Sequence, residues 1–474
     1  MIEPVAHVTL HDYATDPTLP QKDGVNLAHE NIGTLLRAAN CDGLRVRFHD
    51  FNRLLRDDAY AREVLVHTRC VVSNVGPHAH YYFHLREKLG LDFRIVRDVR
   101  TAIWSSYLLQ EHLCRPYLRP NDVLLVASQY TRGLYEKMFP HLRTLPTVRC
   151  YPLTVGFPPK VGRWKAPTGN KQGVVTLGYV GRLSEDKNFP DIIELLIKLN
   201  RRHPGRYRLL ACGDIHSPSC HPDKVCARLV AMLGSADSFD YLPSRGNAEI
   251  WALYRQFDIM VFPSTSNLET LGRVLIEASY AGVPVVCGEH AAAAELMPSS
   301  SLCRVHYGRN QAFSAHYDHS LGHVDIDDMV RAVTHPGLVT SECHLDYLQH
   351  PDRFVGLLIG EDIAACRMPE TLKLTPSQQS LIDAIEVTLP PALEEIDQAS
   401  RSIAQLIPWF LGLQTKDSME REQWLSKLRK LSRHPERTLR FIEKSAATWC
   451  DFTNVGGIDI ELCHVADFYP VFTL

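Results

Sequence analysis

The stretch NLETLGRVLIEASYAGVPVV, Asn267 to Val286, decides the fold because it joins a polar loop, a helix and a buried strand. The apolar run FDIMVFPS comes directly before it and has the length and composition of a buried strand. Strand, loop, helix and strand in succession are typical of a parallel sheet covered by helices. Glu269 and Glu277 stand about two helical turns apart in this stretch, which makes it the first candidate for a binding site.

The same alternation of apolar runs and helix-like stretches extends through most of the 474 residues. A first series runs from VAHVTLHDY to VRCYPLTV, and a second runs from VVTLGYVGR to VPVVCGE. A chain of this length exceeds what one hydrophobic core normally holds. We therefore predict an α/β protein with two Rossmann-like, doubly wound domains facing a cleft, where ligands bind at the carboxyl ends of the strands.

Changes in composition place the boundaries of these domains. The segment 159–172 is rich in Pro, Gly and Lys and lacks periodicity, which is typical of a linker. The first domain is therefore predicted at 1–158 and the second at 173–345. The region 346–474 is predicted to be mostly helical and to pack back on the body of the protein.

Charge and composition exclude several classes of protein. A formal net charge of −3 and a pI near 6.8 give no overall attraction to nucleic acid. The chain begins without a basic stretch followed by an apolar run, and no segment has the length needed to span a bilayer, so we expect a cytoplasmic protein. The 13 cysteines lack short paired spacings, which argues against a disulfide framework or a zinc site.

The loop and helix around Gly272 have the layout of a phosphate site. Gly272 is predicted near the start of the helix, where unpaired backbone amides favour an anion. Glu277 then lies roughly 12 Å from Glu269 along the helix axis, so the two carboxylates could touch opposite ends of an extended ligand. The alternative is that Glu269 only provides the negative charge that is favourable at a helix start, and that Glu277 is solvated. The apolar neighbours of Glu277 favour a buried carboxylate with a hydrogen-bonding partner such as a ribose diol.

A second segment, LGYVGRLSEDKNFPDIIELL, places two cations after a buried strand. Arg182 follows the strand directly, and Lys187 lies near the start of the next helix. Together they could neutralise a diphosphate leaving group. The alternative is a surface turn in which both cations pair with Glu185 and Asp186.

These segments together resemble a known family. The stretches GYVGRLSEDKN, LLACGD, FDYLPSRGNAEIWALYRQFDIMVFPS and ETLGRVLIEASYAGVPVV occur in the order and spacing seen in retaining GT-B glycosyltransferases of family 4. The resemblance extends from about Val174 to Glu295, and its most specific part is the pair of glutamates separated by seven residues. It implies the GT-B fold, with two Rossmann-like domains and a C-terminal helical extension.

The resemblance also implies roles for individual residues. Arg182 and Lys187 would contact the donor diphosphate, Glu269 would hold hydroxyls of the transferred sugar, and Glu277 would hold the ribose. Seven further residues would contact the donor through the base, the sugar or the phosphates: Gly24, Gly213, Leu242, Thr270, Leu271, Gly272 and Arg273.

The N-terminal domain matches the family less closely. Asn74, His78 and His80 are candidates for a frequent family histidine, and Arg100 stands where another is usual, so all four are candidates for the acceptor side. His78, His80 and His84 could be taken for a metal cluster, but no carboxylate or cysteine nearby completes one. We therefore predict no metal and no cofactor other than the nucleotide sugar as co-substrate.

The function implied is transfer of a sugar, with retention at the anomeric carbon, from a nucleoside diphosphate sugar to an acceptor hydroxyl. The resemblance favours UDP over GDP and leaves the acceptor open among small molecules, glycans and lipids. A GT-B epimerase, a phosphorylase and a non-catalytic nucleotide-sugar-binding scaffold are the alternatives. The segment REQWLSKLRKLSRHPERTLRFIEK could contact an anionic membrane surface, although its short apolar stripe favours a helix packed on the body.

Overall fold

The computed structural model describes the greater part of the chain. The described residues are 6–12, 24–39, 44–73, 80–99, 111, 114–153, 157–158, 173–308, 320–335, 339–344, 346–348, 350–384, 386–387 and 472–473. Within these ranges, no helix combines the length and the apolar character needed to cross a membrane.

The first half of the chain forms a six-stranded parallel sheet in the order β2-β1-β3-β4-β5-β6. The register pairs Val8 of β1 with Val46 on one side and Cys70 on the other. The apolar runs of the sequence become buried strands because helices cover both faces of a parallel sheet. The strands are β1 (Ala6–His11), β2 (Leu44–His49), β3 (Cys70–Ser73), β4 (Arg94–Val99), β5 (Val123–Val126) and β6 (Thr147–Val148).

Helices connect these strands and turn their apolar faces to the sheet. In the first of them Ala28, Ile32 and Leu36 are buried, at the spacing of one helical face. The helices are α1 (Gly24–Ala38), α2 (Phe51–Arg56), α3 (Asp58–Leu65), α4 (His80–Leu89) and α5 (Gln129–Met138). Short 3-10 helices follow at Arg115–Tyr117 and Pro140–Thr144.

The second sheet has the same construction, with six parallel strands in the order β12-β11-β10-β7-β8-β9. Its strands are β7 (Val175–Val180), β8 (Tyr207–Cys212), β9 (Phe239–Leu242), β10 (Ile259–Phe262), β11 (Val285–Gly288) and β12 (Leu302–Cys303). Its helices are α6 (Phe189–Arg202), α7 (Pro222–Leu233), α8 (Asn247–Tyr254), α9 (Arg273–Tyr280), α10 (Ala293–Leu296) and α11 (Ile326–Thr334). The prediction of two Rossmann-like domains is confirmed by these two sheets.

Short elements complete the second half of the chain. An antiparallel pair, β13 (Val305–Tyr307) and β14 (Gly322–Val324), follows the second sheet, and a two-residue pair joins β15 (Glu386–Val387) to β16 (Phe472–Thr473). After α11, the described residues contain three further helices before β15: α12 (Pro351–Ile359), α13 (Ile363–Cys366) and α14 (Pro376–Asp383). Further 3-10 helices lie at Pro218–Cys220, Ser299–Ser301 and Asp346–Leu348.

The helices after residue 350 pack on the first half of the chain. Helix α12 contacts β1 and β3, and Arg94 Nη2 donates to the carbonyl of Leu357 at 2.7 Å. Helix α14 lies against α5, where a Cβ atom added to Gly133 would be 2.9 Å from Ile382 Cδ1. Glycine in α5 therefore permits the close approach of the two helices.

Glu295 of α10 joins the two halves more directly. Its Oε1 accepts from the backbone N–H of Gln129 at 2.6 Å, at the start of α5, and its Oε2 pairs with Arg149. A carboxylate from one half thus sits on a helix N-terminus of the other, where negative charge is favourable.

Several sequence expectations meet a different outcome or lie outside the described residues. Of the predicted strand VRCYPLTV, residues 148–155, only Val148 belongs to the strand Thr147–Val148, because Arg149 N turns to the carbonyl of Cys366 at 2.9 Å. The linker 159–172 and most of the predicted C-terminal helical region, 388–471, lie outside the described residues. The domain boundaries therefore stay predictions.

Candidate functional site

The candidate site lies where neighbouring strands of the second sheet end. Gly181 and Arg182 follow β7, Gly213 follows β8, and the loop 263–272 follows β10. Because the strands are parallel and adjacent, these segments meet at one edge of the sheet, as ligand-binding loops of such sheets do.

Lys187 and Glu269 form the central contact of this edge. Lys187 Nζ lies 2.6 Å from Glu269 Oε2, and the two side chains are 16% and 14% exposed. Burial by itself raises the pKa of Glu269, but the charge and hydrogen bond of Lys187 outweigh it and hold that pKa below its usual value. The site therefore contains a nearly buried contact between an amine and a carboxylate, and the carboxylate is ionised at neutral pH.

Glu269 also fixes the loop before helix α9. Its Oε1 accepts from the backbone N–H of Gly272 at 3.0 Å, and its Oε2 accepts from Ser264 Oγ at 3.3 Å. Gly272 has φ of 71°, and a Cβ atom there would lie 2.9 Å from Leu275 Cδ1. Glycine is thus required both by the left-handed backbone and by the space available.

Arg182, the second predicted cation, pairs with Asp186. Arg182 Nη2 lies 2.9 Å from Asp186 Oδ2, and the arginine side chain is 31% exposed while the aspartate is buried. The backbone carbonyl of Arg182 accepts from Tyr179 Oη at 2.6 Å. The side chain that would meet a ligand is therefore oriented by a carboxylate four residues later in the sequence.

Glu277 lies in the second turn of α9 and is buried, as its apolar neighbours predict. Its Oε1 accepts from Arg273 Nε at 2.6 Å, and its Oε2 accepts from Tyr254 Oη at 2.9 Å. The carboxylate is 6% exposed as a residue, so the alternative of a solvated helical residue is wrong.

Gly213 and Leu242 lie at the ends of the next two strands. Gly213 N donates to the carbonyl of Leu242 at 3.1 Å. A Cβ atom on Gly213 would lie 1.8 Å from the carbonyl oxygen of Gly181. The ends of β7 and β8 approach so closely here that only glycine fits at position 213.

Some of the remaining candidate residues lie in the described part of the chain and others do not. Thr270 is buried and Leu271 is half-buried against the core, both in the loop before α9. Gly24 is the first residue of α1, the helix that follows β1 in the chain. Asn74, His78 and Arg100 lie outside the described residues, as does the side chain of His80, the first residue of α4. The acceptor side predicted on these four therefore stays a prediction.

His290 is a residue of this region that the sequence did not single out. Its Nε2 lies 3.1 Å from the carbonyl of Ser266 and its Nδ1 lies 2.9 Å from Tyr307 Oη. Burial lowers the pKa of His290 to about 4, so the neutral ring donates to Ser266 and accepts from Tyr307. Its ring meets that of Tyr130 in the first half of the chain, with centroids 5.3 Å apart.

Across the ranges that the structure describes, no three His, Cys, Asp or Glu side chains are grouped so that they could hold a metal ion.

Among solved structures, the chain is similar to that of Anabaena HepE in complex with UDP and glucose. The two are 14% identical, the match covers 76% of this chain and 98% of that chain, and the TM-score is 0.48. Likeness at this level identifies neither a ligand nor a reaction.

Sequence relatives cover a shorter segment. D-inositol 3-phosphate glycosyltransferase from Segniliparus rotundus is 30% identical over 125 residues, 26% of this chain and 27% of that protein. The protein of the same name from Mycolicibacterium smegmatis is 34% identical over 110 residues, 23% of this chain and 24% of that protein. The chain thus spans about a quarter of the length of the curated relatives it matches. The family described as Glycosyl transferases group 1 matches residues 161–312, which include the second sheet, Glu269 and Glu277.

Proposed function

We propose that the protein transfers a sugar from a nucleoside diphosphate sugar to a hydroxyl group of an acceptor. The observation that carries the proposal is the contact of Lys187 with Glu269 beside the amide of Gly272, inside the segment that matches the group 1 glycosyltransferases. A cation, an acceptor-only carboxylate and a helix start are the groups that a diphosphate and a sugar need.

The proposed sugar transfer requires stabilisation of the departing diphosphate. Lys187 and Arg182 supply positive charge at the strand ends, and amides near Gly272 add the partial charge of a helix N-terminus. Each cation is held by a carboxylate, Lys187 by Glu269 and Arg182 by Asp186. A bound diphosphate would share these cations, while Glu269 would accept hydrogen bonds from the sugar hydroxyls.

We also propose that the reaction retains the anomeric configuration, that it needs no metal ion and that the nucleotide of the donor is UDP. We propose that the acceptor hydroxyl attacks from the leaving-group face and that a phosphate oxygen takes its proton, which retains the anomeric configuration. Arg182 and Lys187 supply the charge that a metal would otherwise provide. UDP is proposed on the family resemblance, and the acceptor is proposed to bind on the side of the N-terminal domain.

Binding calorimetry with UDP-glucose, UDP-N-acetylglucosamine and GDP-mannose in the presence of a chelator tests the proposal. Wild type should bind one of these donors, and Lys187→Met should weaken that binding at least about tenfold, because a buried charge contact is lost. The matched control is Lys198→Met, since Lys198 forms a more exposed pair with Asp327. It should bind as wild type does.

Product analysis completes the test. NMR of the product should show the anomeric configuration of the donor, and release of nucleoside diphosphate should require an acceptor alcohol. Failure of wild type to bind any donor would contradict the proposal and favour a scaffold. Release without an acceptor, or inversion at the anomeric carbon, would contradict transfer or retention respectively.

A further inference from the structure

The carboxylate of Glu277 is held from two sides by the protein itself. Arg273 Nε donates to Oε1 at 2.6 Å from the first turn of the same helix. Tyr254 Oη donates to Oε2 at 2.9 Å from the end of helix α8. With each oxygen fixed by a different element, the plane of the carboxylate cannot rotate without breaking one of two buried hydrogen bonds.

These contacts do not suit a role in helix stability. Arg273 lies at the start of α9, where a positive charge opposes the helix dipole, and it precedes its acidic partner by four residues, the less favourable order. Arg273 Nη1 is buried with no hydrogen-bond partner in the described part of the chain. A buried donor without a partner is destabilising, so this arginine is placed at a cost to the fold.

Tyr254 is fixed as a donor. Burial, and then the charge of Glu277, raise the pKa of its hydroxyl well above the usual value, so it stays protonated. Its ring packs against those of Trp251 and Phe257, with centroids 5.8 Å away in each case. The protonated hydroxyl is therefore held beside the carboxylate by the packing of its ring.

The hydrogen bonds that remain available to Glu277 define its ligand. An ionised carboxylate has about four acceptor positions and no donor. Arg273 and Tyr254 take one position on each oxygen, which leaves one on each oxygen in a fixed plane. Two adjacent hydroxyl groups, as in the cis-diol of a ribose, match these two positions, whereas a 2′-deoxyribose would leave one buried acceptor unsatisfied.

We propose that Arg273 and Tyr254 are positioning residues that fix Glu277 and so make the nucleotide subsite selective for ribose over 2′-deoxyribose. The inference rests on the proposed function, since it takes the ligand of Glu277 to be the ribose of a nucleoside diphosphate. Arg273 and Tyr254 act through Glu277, and the selectivity that they confer can be measured.

The test measures binding of UDP and 2′-deoxy-UDP to wild type, Tyr254→Phe, Arg273→Gln and Arg245→Gln by calorimetry. GDP and 2′-deoxy-GDP replace this pair if wild type binds GDP instead. Wild type should prefer the ribonucleotide at least about tenfold, the value of one hydrogen bond to a charged group. In Tyr254→Phe and Arg273→Gln the preference should fall to about threefold or less.

Arg245→Gln is the matched control, because Arg245 forms an exposed ion pair with Glu249 at the same four-residue spacing. It should keep the wild-type preference. Tyr254→Phe changes one hydroxyl and keeps the ring, so it tests the proposal even if Arg273→Gln fails to fold.

The outcomes distinguish failure of the positioning role from failure of the proposed function. Equal loss of affinity for both nucleotides, with the preference unchanged, would show a purely structural role and overturn the inference. Equal binding of the two nucleotides by wild type would overturn it as well. If wild type bound no nucleoside diphosphate, the proposed function would fail, and this inference with it.

Discussion

At the scale of single residues, the pair of Lys187 and Glu269 is the feature with the largest electrostatic consequence. The two residues are 82 positions apart in sequence and meet at 2.6 Å with little exposure to water. Removing one partner of such a pair leaves the other charge buried, which costs more than the pair itself contributes. The pair therefore links the integrity of the site to the stability of the fold.

We expect Glu269→Gln to lower the free energy of unfolding by about 1–3 kcal/mol at pH 7. Because the pKa of Glu269 is lowered on folding from its usual 4.5, its carboxylate contributes stability above that pH and loses it as the pH falls further. The difference between wild type and variant should therefore shrink below pH 4.5. Urea unfolding at pH 7, 5 and 4 measures it.

The control for this experiment is Lys198→Gln. Lys198 and Asp327 are 36% and 62% exposed and lie 3.3 Å apart, so their pair should contribute less than about 1 kcal/mol. A difference between wild type and Glu269→Gln that stayed constant or grew toward pH 4 would contradict the assignment of the charge to Glu269.

At the scale of elements, the site depends on how closely strand ends approach. β7 and β8 run parallel in register from Val175 with Tyr207 to Val180 with Cys212. Gly181 and Gly213 follow the last pair and lie equally close together. The carbonyl oxygen of Gly181 occupies the space that a side chain on Gly213 would need.

Gly213→Ala should disrupt this arrangement, because its Cβ atom would lie 1.8 Å from the Gly181 carbonyl oxygen. We expect a loss of about 2 kcal/mol or more in stability and loss of donor binding, as for overpacked sites. Gly205→Ala is the control: its φ is +72° but nothing lies within 4 Å of the added atom. It should cost about 1 kcal/mol and leave binding intact. Thermal unfolding and calorimetry would show both effects, and equal behaviour of the two variants would refute the steric argument.

Much of the second sheet and its site could be predicted from the sequence because the signals are local. The buried strand FDIMVFPS, the loop and the helix start at Gly272 are each encoded within a few residues. Of the two partners of Glu277, only Arg273 could be predicted from the sequence, because it lies one helical turn away. Tyr254 lies 23 positions earlier. No local pattern encodes such a contact, since it depends on how two helices pack.

The length of the last strand of the first sheet also could not be predicted. The run VRCYPLTV has the composition of a strand, yet Arg149 hydrogen-bonds to Cys366, more than two hundred positions later. A segment at the edge of a sheet is shaped by whatever chain arrives beside it. The contact of His290 with Tyr130 joins residues from the two halves of the chain, so no local pattern in the sequence encodes it.

At the scale of the whole molecule, Glu295 joins the two halves through the start of α5 and Arg149. The carboxylate is buried and accepts a hydrogen bond from a backbone N–H at a helix end. Its removal therefore takes one hydrogen-bond acceptor from Gln129 N–H and one ionic partner from Arg149. The two halves should then be coupled less strongly in unfolding.

Glu295→Ala is expected to lower stability by about 2 kcal/mol and to broaden or split the thermal transition seen by calorimetry. The control is Asp383→Ala, an exposed carboxylate of α14 that accepts a hydrogen bond from Gln379, four residues earlier. It should keep the wild-type profile. An unchanged transition in Glu295→Ala would show that other contacts suffice to hold the halves together.

The position of α12 has a consequence for biosynthesis. Phe354, Leu357 and Leu358 of this helix are buried, and the helix contacts β1 and β3, whose residues leave the ribosome far earlier. At about 5–20 residues per second, the first sheet waits roughly 10–40 s for this cover. A nascent chain in that interval exposes apolar surface and is a natural client for a chaperone, and a fragment ending near residue 158 should aggregate for the same reason.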